Sequence, residues 1–326
     1  MIPPFVNNLF EVNAANFNTA AHNAFRFQYE NSAVYQSFCK ALKIDAEQVP
    51  ADQQIPFLPI GFFKTHNVVS TTFQPEAVFE SSGTSQTIQS KHAVKSLALY
   101  EDSFFNAFQL QYGNPENWCF LGLLPSYLER SHSSLVYMVK RLMDESQHLN
   151  NGFYLNEFDK LYDTLKLLET NGQQTMLIGV TFGLLDFAEK YQLHCYNTTI
   201  METGGMKGRR EELTREEVHQ LLKKSFGVKT IHSEYGMTEL LSQAYSAGDG
   251  LFHCPPWMKV LVRDEDDPLQ MHTGGKGALN IIDLANLYSC CFIATDDVGE
   301  VYEDGSFRVL GRMDNSDIRG CSLLAL

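Results

Sequence analysis

Apolar residues along the chain change between helical spacing and short β-branched runs. In the first seventy or so residues, Val34, Phe38, Leu42 and Ile44 recur at near-helical spacing, which predicts helices. Beyond them strands and helices alternate. The predicted strands are VFE, NWCFLGLL, TMLIGV, TTIMET and KTIHSEYG, and the predicted helices run from about Ser90 to Leu110, around Ser133 to Met143, over FGLLDFAEKY and from about Thr214. This order requires crossover connections and predicts a mainly parallel sheet flanked by helices.

After about Gly248 the helical spacing gives way to short strands, MKVLVRD, ALNIID and GEVYEDGSFRVLG. Asp304 and Gly305 lie between alternating apolar residues in the last of these, a pattern typical of a hairpin turn. We therefore expect an α/β fold in three consecutive parts. These are an N-terminal helical segment over 1–75, an α/β core that binds nucleotide and acyl group over 76–248, and a β-rich subdomain with a C-terminal tail over 249–326.

Composition narrows the function classes. The 326 residues carry 39 acidic and 25 basic side chains, and the formal charge of -14 disfavours nucleic acid and anionic membrane surfaces as partners. A membrane span needs about 18 consecutive apolar residues, and the sequence has no such run. We expect a cytoplasmic protein, because no basic run precedes an apolar one at the N-terminus. The seven scattered cysteines are expected to be thiols, and zinc-site spacings such as CxxC are missing.

The segment ESSGTSQTIQSKH over 80–92 follows a predicted strand and is rich in small hydroxylated residues. Around Gly83 the backbone N–H groups approach an anion closely, and the hydroxyls of Ser82, Thr84 and Ser85 donate to phosphate oxygens. A solvated turn is the alternative, because such turns are common connections. The Walker spacing G-x-x-x-x-G-K-[ST] does not occur.

Two further segments carry candidate nucleotide ligands. In SEYGMTELLS, Glu239 is a carboxylate of the kind that holds Mg²⁺ against phosphate, Thr238 is a hydroxyl donor, and Tyr235 offers a flat ring for a base. In ATDDVG, Asp296 and Asp297 end a predicted strand where a carboxylate accepts from ribose hydroxyls. The alternatives are a helix cap for Thr238 and an Asx turn for the aspartates.

Together, in this order, the three segments resemble the core motifs of the adenylate-forming superfamily of acyl and aryl ligases. SSGTSQ-x-x-x-SK is similar to its phosphate loop, YGMTE to its YGxTE element, and TDDVG with GRMDN to its TGD and GRxDD elements. The resemblance implies the N-terminal-domain fold of that superfamily and the use of ATP and Mg²⁺. It implies that Glu239 holds Mg²⁺ and Thr238 contacts the α-phosphate. The implied nucleotide-binding residues are Ser82, Gly83, Thr84, Ser85, Lys91, Gly204, Gly205, Tyr235, Gly236, Asp297 and Arg312.

A closer resemblance, over nearly the whole chain, is to the acyl-protein synthetase (LuxE-like) family of the bioluminescence fatty-acid reductase. LPIGFFKTH, PSYLERSHSSLVYM, METGGMKGRREEL and DIRGCSLL carry it. It implies activation of a carboxylic acid, expected to be a fatty acid, as acyl-AMP and transfer of the acyl group to Cys321. A downstream reductase or acyl-acceptor protein would then be the partner. With 12 residues after Asp314, we expect the mobile C-terminal domain to be missing, and Lys207 is the candidate to replace its lysine.

Two other readings of the sequence stay open at this point. The first is an acyl- or aryl-CoA ligase that resembles phenylacetate-CoA ligase and takes its C-terminal domain from a partner. The second is a non-catalytic scaffold that binds nucleotide or acyl chain, which Gln86 favours, since it stands where the superfamily usually has glycine.

Overall fold

The computed structural model describes residues 4–44, 46, 55–82, 88–125, 132–204, 213–264, 267 and 269–313. In these ranges the α-helices are α1 Phe17–Asn31, α2 Ala33–Ala41, α3 Phe62–Thr65, α4 Leu97–Tyr112, α5 Ser134–Ser146, α6 Phe158–Thr170, α7 Thr181–Lys190 and α8 Arg215–Phe226. Short 3₁₀ helices cover Pro4–Glu11, Pro115–Asn117 and Leu284–Asn286. None of the helices in the described ranges is both long and apolar enough to cross a bilayer.

Fourteen strands lie in the same ranges. They are β1 Leu58–Pro59, β2 Ala77–Glu80, β3 Lys91–Val94, β4 Cys119–Leu123, β5 Gly152–Phe153, β6 Thr175–Gly179, β7 Thr198–Glu202, β8 His232–Tyr235, β9 Ala244–Ser246, β10 Met258–Arg263, β11 Met271–His272, β12 Gly275–Asp283, β13 Phe292–Val301 and β14 Phe307–Arg312.

The chain folds into two compact units. Unit 1 consists of Met1–Ser103, Thr238–Ser242 and His253–Leu326, and unit 2 of Phe104–Met237 and Gln243–Phe252. The three consecutive parts 1–75, 76–248 and 249–326 stay a prediction about folding units.

Unit 2 contains a six-stranded sheet in the order β5-β4-β6-β7-β8-β9. The first five strands are parallel, and β9 is antiparallel to β8 at the edge. Strands β4 and β6 are fully buried, which explains their continuous apolar sequences, since the strands of a parallel sheet are covered on both faces. Helices α6, α7 and α8 contribute leucine and phenylalanine side chains to the buried cluster with these strands. The prediction of a mainly parallel sheet is correct.

Helix α6 is absent from the sequence prediction. Its buried positions Leu161, Leu165 and Leu168 follow helical spacing, but a charged residue stands beside several of them. The apolar face of this helix is therefore narrow, and the sequence pattern over the segment does not indicate a helix clearly.

Unit 1 contains the β-rich part of the chain. Strands β10, β12, β13 and β14 are antiparallel neighbours, and β1 joins the sheet parallel to β13 through Leu58 and Pro59. Gly305, with φ +81°, lies in the turn between β13 and β14, as the Asp304-Gly305 pattern predicted. Since β1 comes from the N-terminal segment, the first and last parts of the chain build one sheet.

A second, two-stranded sheet in unit 1 corrects the predicted helix from Ser90 to Leu110. Lys91–Val94 form strand β3, antiparallel to β2, and the helix begins only at Leu97. The pattern of burial over β3 is exposed, buried, half-buried, buried, which has the two-residue period of a strand. The segment is too short for that period to stand out from the helical pattern that follows.

Candidate functional site

The hairpin β2–β3 carries the predicted phosphate loop. Glu80 and Lys91 face each other across the last strand pair, and the Lys91 ammonium lies 3.2 Å from a Glu80 carboxylate oxygen. Beyond them the backbone N–H of Ser81 donates to the carbonyl of Ser90 at 3.1 Å, and the N–H of Ser90 donates to the Ser81 hydroxyl at 3.0 Å. These bonds fix the two ends of the loop at the base of the hairpin. Ser82 is exposed next to this base.

Glu239, the predicted Mg²⁺ ligand, is 5% exposed in unit 1. Burial raises the pKa of its carboxyl group, while a hydrogen bond from the Ser90 hydroxyl and the charges of Arg312 and Lys64 act in the opposite direction. The backbone carbonyl of Glu239 accepts from the Asn286 amide at 2.7 Å. The carboxyl group is therefore buried beside the phosphate-loop hairpin and lies within reach of the charges of Arg312 and Lys64.

Thr238, the residue before it, is held through its carbonyl oxygen. The Nδ1 atom of His92 lies 2.8 Å from that oxygen, and His92 is 1% exposed on β3. Because a carbonyl only accepts, Nδ1 carries the proton.

Asp297 and Arg312 are cross-strand partners on β13 and β14. The Arg312 Nε atom lies 3.6 Å from a carboxylate oxygen of Asp297, and the Asp297 side chain is 15% exposed. Since Arg312 also acts electrostatically on Glu239, unit 1 brings together residues of the YGMTE, TDDVG and GRMDN segments. The sequence predicted each of these residues singly, and the fold of unit 1 groups them.

Tyr235, the predicted adenine partner, ends β8 in unit 2 and is 8% exposed. Its ring lies 5.8 Å from that of Phe252, and the Arg215 guanidinium lies 5.2 Å above the Phe252 ring. The two rings are tilted by 57° and buried, and the cation lies over the inner ring, that of Phe252.

Gly236 lies against the end of the Glu234 side chain. A Cβ atom at this position would lie 2.4 Å from a carboxylate oxygen of Glu234. A larger residue at this position would require the Glu234 carboxyl group to move.

Glu234 and Glu202 are neighbouring carboxyl groups at the ends of β8 and β7. Burial, with the charge of Glu202 as a second cause, raises the pKa of Glu234 to about 8. Burial alone would raise the pKa of Glu202 as well, but hydrogen bonds from His219 and Thr181 and the charge of Arg215 bring it below its usual value. At neutral pH, Glu202 is ionised and Glu234 is protonated.

This arrangement predicts a pH dependence of stability. The pKa of Glu234 is about 8 in the folded protein against 4.5 in a model peptide, so its contribution to stability is present below pH 4.5 and is lost as the pH rises through 8. Glu234→Gln should therefore be stabilised relative to wild type by more than about 1 kcal/mol at pH 8.5, and by less at pH 5. Urea unfolding at both pH values measures the difference. Glu216→Gln, an exposed glutamate of α8, is the control. A constant difference for Glu234→Gln at the two pH values would contradict the assignment.

Gly204 follows β7, where its N–H donates to Glu202 at 2.6 Å. The Thr181 hydroxyl donates to the same oxygen at 2.5 Å, and the Thr181 N–H donates to the Gly204 carbonyl at 2.9 Å. Gly204 has φ +79°, the left-handed region that favours glycine. Glu202 therefore orders the backbone at the carboxyl end of the sheet, where open α/β sheets bind ligands.

Several predicted site residues lie outside the described residues. They are Gly83, Thr84, Ser85, Gly205, Lys207 and Cys321.

The residues present suit Mg²⁺ that arrives with a nucleotide. Among the described residues, no group of three or more His, Cys, Asp or Glu side chains could form a metal cage. Mg²⁺ in nucleotide sites usually takes one or two carboxylates and fills its shell with phosphate oxygens and water. Glu239 is one such carboxylate, and the fit is to a metal–nucleotide complex.

Three residues of this region were not predicted to have a role. Lys64 on α3 is exposed and acts on the Glu239 carboxyl, while Ser90, just before β3, and His92, on β3, are buried. LPIGFFKTH and QSKH contain them, but their closeness to Glu239 depends on tertiary structure.

Comparison with known families gives a match to "Acyl-protein synthetase, LuxE" over residues 138–325. The long-chain-fatty-acid–luciferin-component ligase of Vibrio harveyi is 23% identical over 336 residues, covering 92% of this chain and 84% of the relative. The ligase of the same name from Aliivibrio fischeri is 21% identical over 337 residues, covering 92% and 85%.

Solved structures give the same fold. A 2-hydroxyisobutyryl-CoA ligase in the postadenylation state matches with a TM-score of 0.66 at 12% identity, over 93% of this chain and 69% of that one. ATP-bound MatB from Rhodopseudomonas palustris matches with a TM-score of 0.53 at 16% identity, over 72% of this chain. The match spans about half of the MatB chain, 48%. The predicted fold class, an α/β fold of the adenylate-forming type, is confirmed.

Proposed function

Since the chain belongs to the acyl-protein synthetase LuxE family, we propose that it uses ATP to convert a fatty acid into an acyl-adenylate and then transfers the acyl group to its own Cys321. The family predicted from the sequence is confirmed, and with it the class of ATP-dependent acid–thiol ligase. One observation supports the site assignment. In unit 1, Glu239 lies beside Ser90 of the phosphate-loop hairpin and within electrostatic reach of Arg312. Arg312 is in turn the cross-strand partner of Asp297.

In the first step, a carboxylate oxygen of the acid attacks the α-phosphorus of ATP. The bond from that phosphorus to the bridging oxygen breaks, pyrophosphate leaves, and the acid becomes a mixed anhydride with AMP. A free carboxylate resists nucleophiles, and the anhydride gives it a good leaving group. Mg²⁺, when bound, would neutralise the negative charge that develops on the pyrophosphate.

The side chains of unit 1 have complementary tasks in this step. Glu239 is the ligand for Mg²⁺, and the Thr238 hydroxyl contacts the α-phosphate. Asp297 accepts from the ribose hydroxyls, while Arg312 supplies positive charge to the ribose or phosphate. A fixed cation that faces developing negative charge lowers the barrier, because little reorganisation is needed during the reaction.

The side chains of unit 2 support nucleotide binding. Tyr235 is the stacking partner for adenine, and its ring is held by the neighbouring ring of Phe252. Gly204 presents a backbone without side-chain bulk, and its N–H is fixed by Glu202. Ser82, Gly83, Thr84 and Ser85 complete the proposal as ligands of the triphosphate. Lys91 is a further ligand, which would exchange its ion pair with Glu80 for a phosphate. Gly205 and Lys207 belong to the loop after β7.

In the second step, the Cys321 thiolate attacks the acyl carbonyl of the anhydride. A thioester forms, the bond to the AMP oxygen breaks, and AMP leaves. Burial raises the pKa of the thiols of Cys39, Cys119, Cys195, Cys254 and Cys290 to about 12, and it raises the pKa of Cys291 well above its usual value. Because the thiolate is the nucleophile, these six thiols are poor acceptors at neutral pH, which supports Cys321.

The thioester is an intermediate for a further acceptor. We propose a downstream reductase or an acyl-acceptor protein as the partner, since a thioester is activated for reduction or transfer. A cytoplasmic location fits the proposal, because that compartment supplies ATP and keeps thiols reduced.

Mass spectrometry of the intact protein tests the complete proposal. After incubation with ATP, Mg²⁺ and tetradecanoic acid, the protein mass should rise by one acyl group, and hydroxylamine should reverse the change. Release of acyl-CoA in the presence of coenzyme A, with no change in the protein mass, would replace the proposal with a CoA ligase.

The ribose assignment gives a quantitative prediction. Asp297→Ala should weaken ATP binding by roughly 1.5 to 3 kcal/mol, or about one to two orders of magnitude in Kd, because a charged acceptor for two hydroxyls is lost. Asp296→Ala is the matched control, since Asp296 acts on Arg263 instead, and it should have less effect. Isothermal titration calorimetry measures both. Equal losses for the two variants, or none, would show that the wrong aspartate is assigned.

A further inference from the structure

We propose that Ser90 and His92 are positioning residues which hold Glu239 and Thr238 in place for nucleotide activation. The inference rests on the proposed function and extends it to two residues without a recognised role. It concerns unit 1 alone, in which all four residues lie.

Strand geometry explains why these two residues act together. Successive side chains of a strand point to opposite faces, so the side chains of positions 90 and 92 lie on one side and that of position 91 on the other. Ser90 is 2% exposed and His92 is 1% exposed, whereas the Lys91 side chain is 65% exposed and pairs with Glu80. The hairpin thus directs its cation toward solvent and two buried polar groups toward the 238–239 segment.

His92 provides the first link. Its Nδ1–H donates to the carbonyl oxygen of Thr238 at 2.8 Å, and the Phe63 ring packs against the imidazole with its edge, at 5.8 Å and 88°. Burial lowers the pKa of His92 to about 4, so the ring is neutral at physiological pH. A neutral imidazole with a fixed tautomer is a permanent donor to the backbone of Thr238.

Ser90 provides the second link. Its hydroxyl donates to the carboxylate of Glu239, and its backbone is tied to Ser81 by two hydrogen bonds. The side chain that fixes the carboxylate therefore belongs to the residue that closes the base of the predicted phosphate loop. The hydrogen bond from Ser90 restricts the rotation of the Glu239 carboxylate group about the Cγ–Cδ bond.

Residues 283 and 286 hold the segment as well. The Asn286 amide donates to the Glu239 carbonyl at 2.7 Å, and the Asp283 carboxylate accepts from the N–H groups of Leu241 at 2.8 Å and Ser242 at 3.0 Å. The backbone of 238–242 is thus restrained by hydrogen bonds to Asp283, Asn286 and His92. Removal of a hydrogen-bond partner of a metal-binding carboxylate commonly lowers metal affinity or activity by about 10- to 100-fold.

Conservative and disruptive variants separate positioning from folding. Ser90→Ala and His92→Phe remove the donor groups and keep most of the volume. Ser90→Thr keeps the hydroxyl, and His92→Asn keeps an N–H at the position of Nδ1. Ser70→Ala is the matched control, because Ser70 is also fully buried in unit 1 and donates to a backbone carbonyl, that of Ser289, at 2.9 Å.

Two measurements are made on each variant. Calorimetry gives the Kd of ATP with Mg²⁺ and with EDTA. The Kd with EDTA divided by the Kd with Mg²⁺ is the metal-dependent ratio, which reports how much Mg²⁺ strengthens binding. Steady-state exchange of radiolabelled pyrophosphate into ATP with tetradecanoic acid gives kcat and the KM of the acid. Circular dichroism gives the Tm.

We expect Ser90→Ala and His92→Phe to lower both the metal-dependent ratio and kcat by about tenfold or more, with the KM of the acid unchanged. Ser90→Thr, His92→Asn and Ser70→Ala should stay within about threefold of wild type. Wild-type ratios in Ser90→Ala and His92→Phe would overturn the inference. So would losses that follow the Tm and are equal with and without Mg²⁺. If His92→Phe does not fold, Ser90→Ala decides. A wild-type protein with no ATP binding and no exchange would instead refute the proposed function, and the inference with it.

Discussion

Cys321→Ser should abolish covalent acylation of the protein and leave adenylation intact. The hydroxyl of serine is far less nucleophilic than a thiolate, so the variant forms acyl-AMP but no thioester. With ATP, Mg²⁺ and a labelled fatty acid, the hydroxylamine-labile label on the protein should disappear, while acid-dependent exchange of pyrophosphate into ATP persists. The two assays separate the first step of the reaction from the second.

Cys254→Ser is the matched control. Cys254 is the one half-buried thiol among the described cysteines, and burial raises its pKa to about 12. The variant should be acylated like the wild type. A thioester label that survives in Cys321→Ser would identify another cysteine as the acceptor and contradict the assignment.

Glu239→Gln should reduce acid-dependent exchange by about a hundredfold or more. The substitution keeps the size of the side chain and an oxygen that accepts from Ser90, but it removes the negative charge that Mg²⁺ requires. Since Glu239 is 5% exposed and burial raises the pKa of its carboxyl group, the neutral amide should not reduce the stability of the fold. The Tm should therefore stay at or above the wild-type value while activity falls.

Glu303→Gln in the same unit is the control, because Glu303 is exposed in the turn after β13. It should retain wild-type exchange. If Glu239→Gln also retained wild-type exchange, Glu239 would have no part in metal binding, and the assignment of the YGMTE segment would fail.

Local sequence patterns were sufficient for most of the fold. The continuous apolar runs of β4 and β6 predicted buried parallel strands, and the Asp304-Gly305 turn predicted the β13–β14 hairpin. Patterns failed where a segment was short or its apolar face narrow, as at β3 and α6. The pairing of β1 with β13 was beyond such reasoning, because the partners are more than 230 residues apart.

The sequence was sufficient to predict which residues belong to the candidate site, but not which of them lie next to each other in space. Motif resemblance identified Glu239, Asp297 and Arg312, since each belongs to a recognisable segment. It assigned no role to Ser90, although that serine stands inside the motif SSGTSQ-x-x-x-SK. Its role follows only from the antiparallel pairing of β2 and β3 and from the buried hydrogen bond to Glu239. The sequence over 90–92, Ser-Lys-His, is polar throughout, so the alternating burial of these residues is visible only in the structure.

The central claim, that this chain activates a carboxylic acid with ATP, is tested most directly by pyrophosphate exchange in the wild-type protein. Radiolabelled pyrophosphate is supplied with ATP, Mg²⁺ and one acid at a time from a panel of straight-chain fatty acids and aromatic acids. We expect label in ATP only when an acid is present, with the highest rate for a fatty acid. Binding of ATP without exchange for any acid would contradict the claim and favour a non-catalytic nucleotide-binding protein.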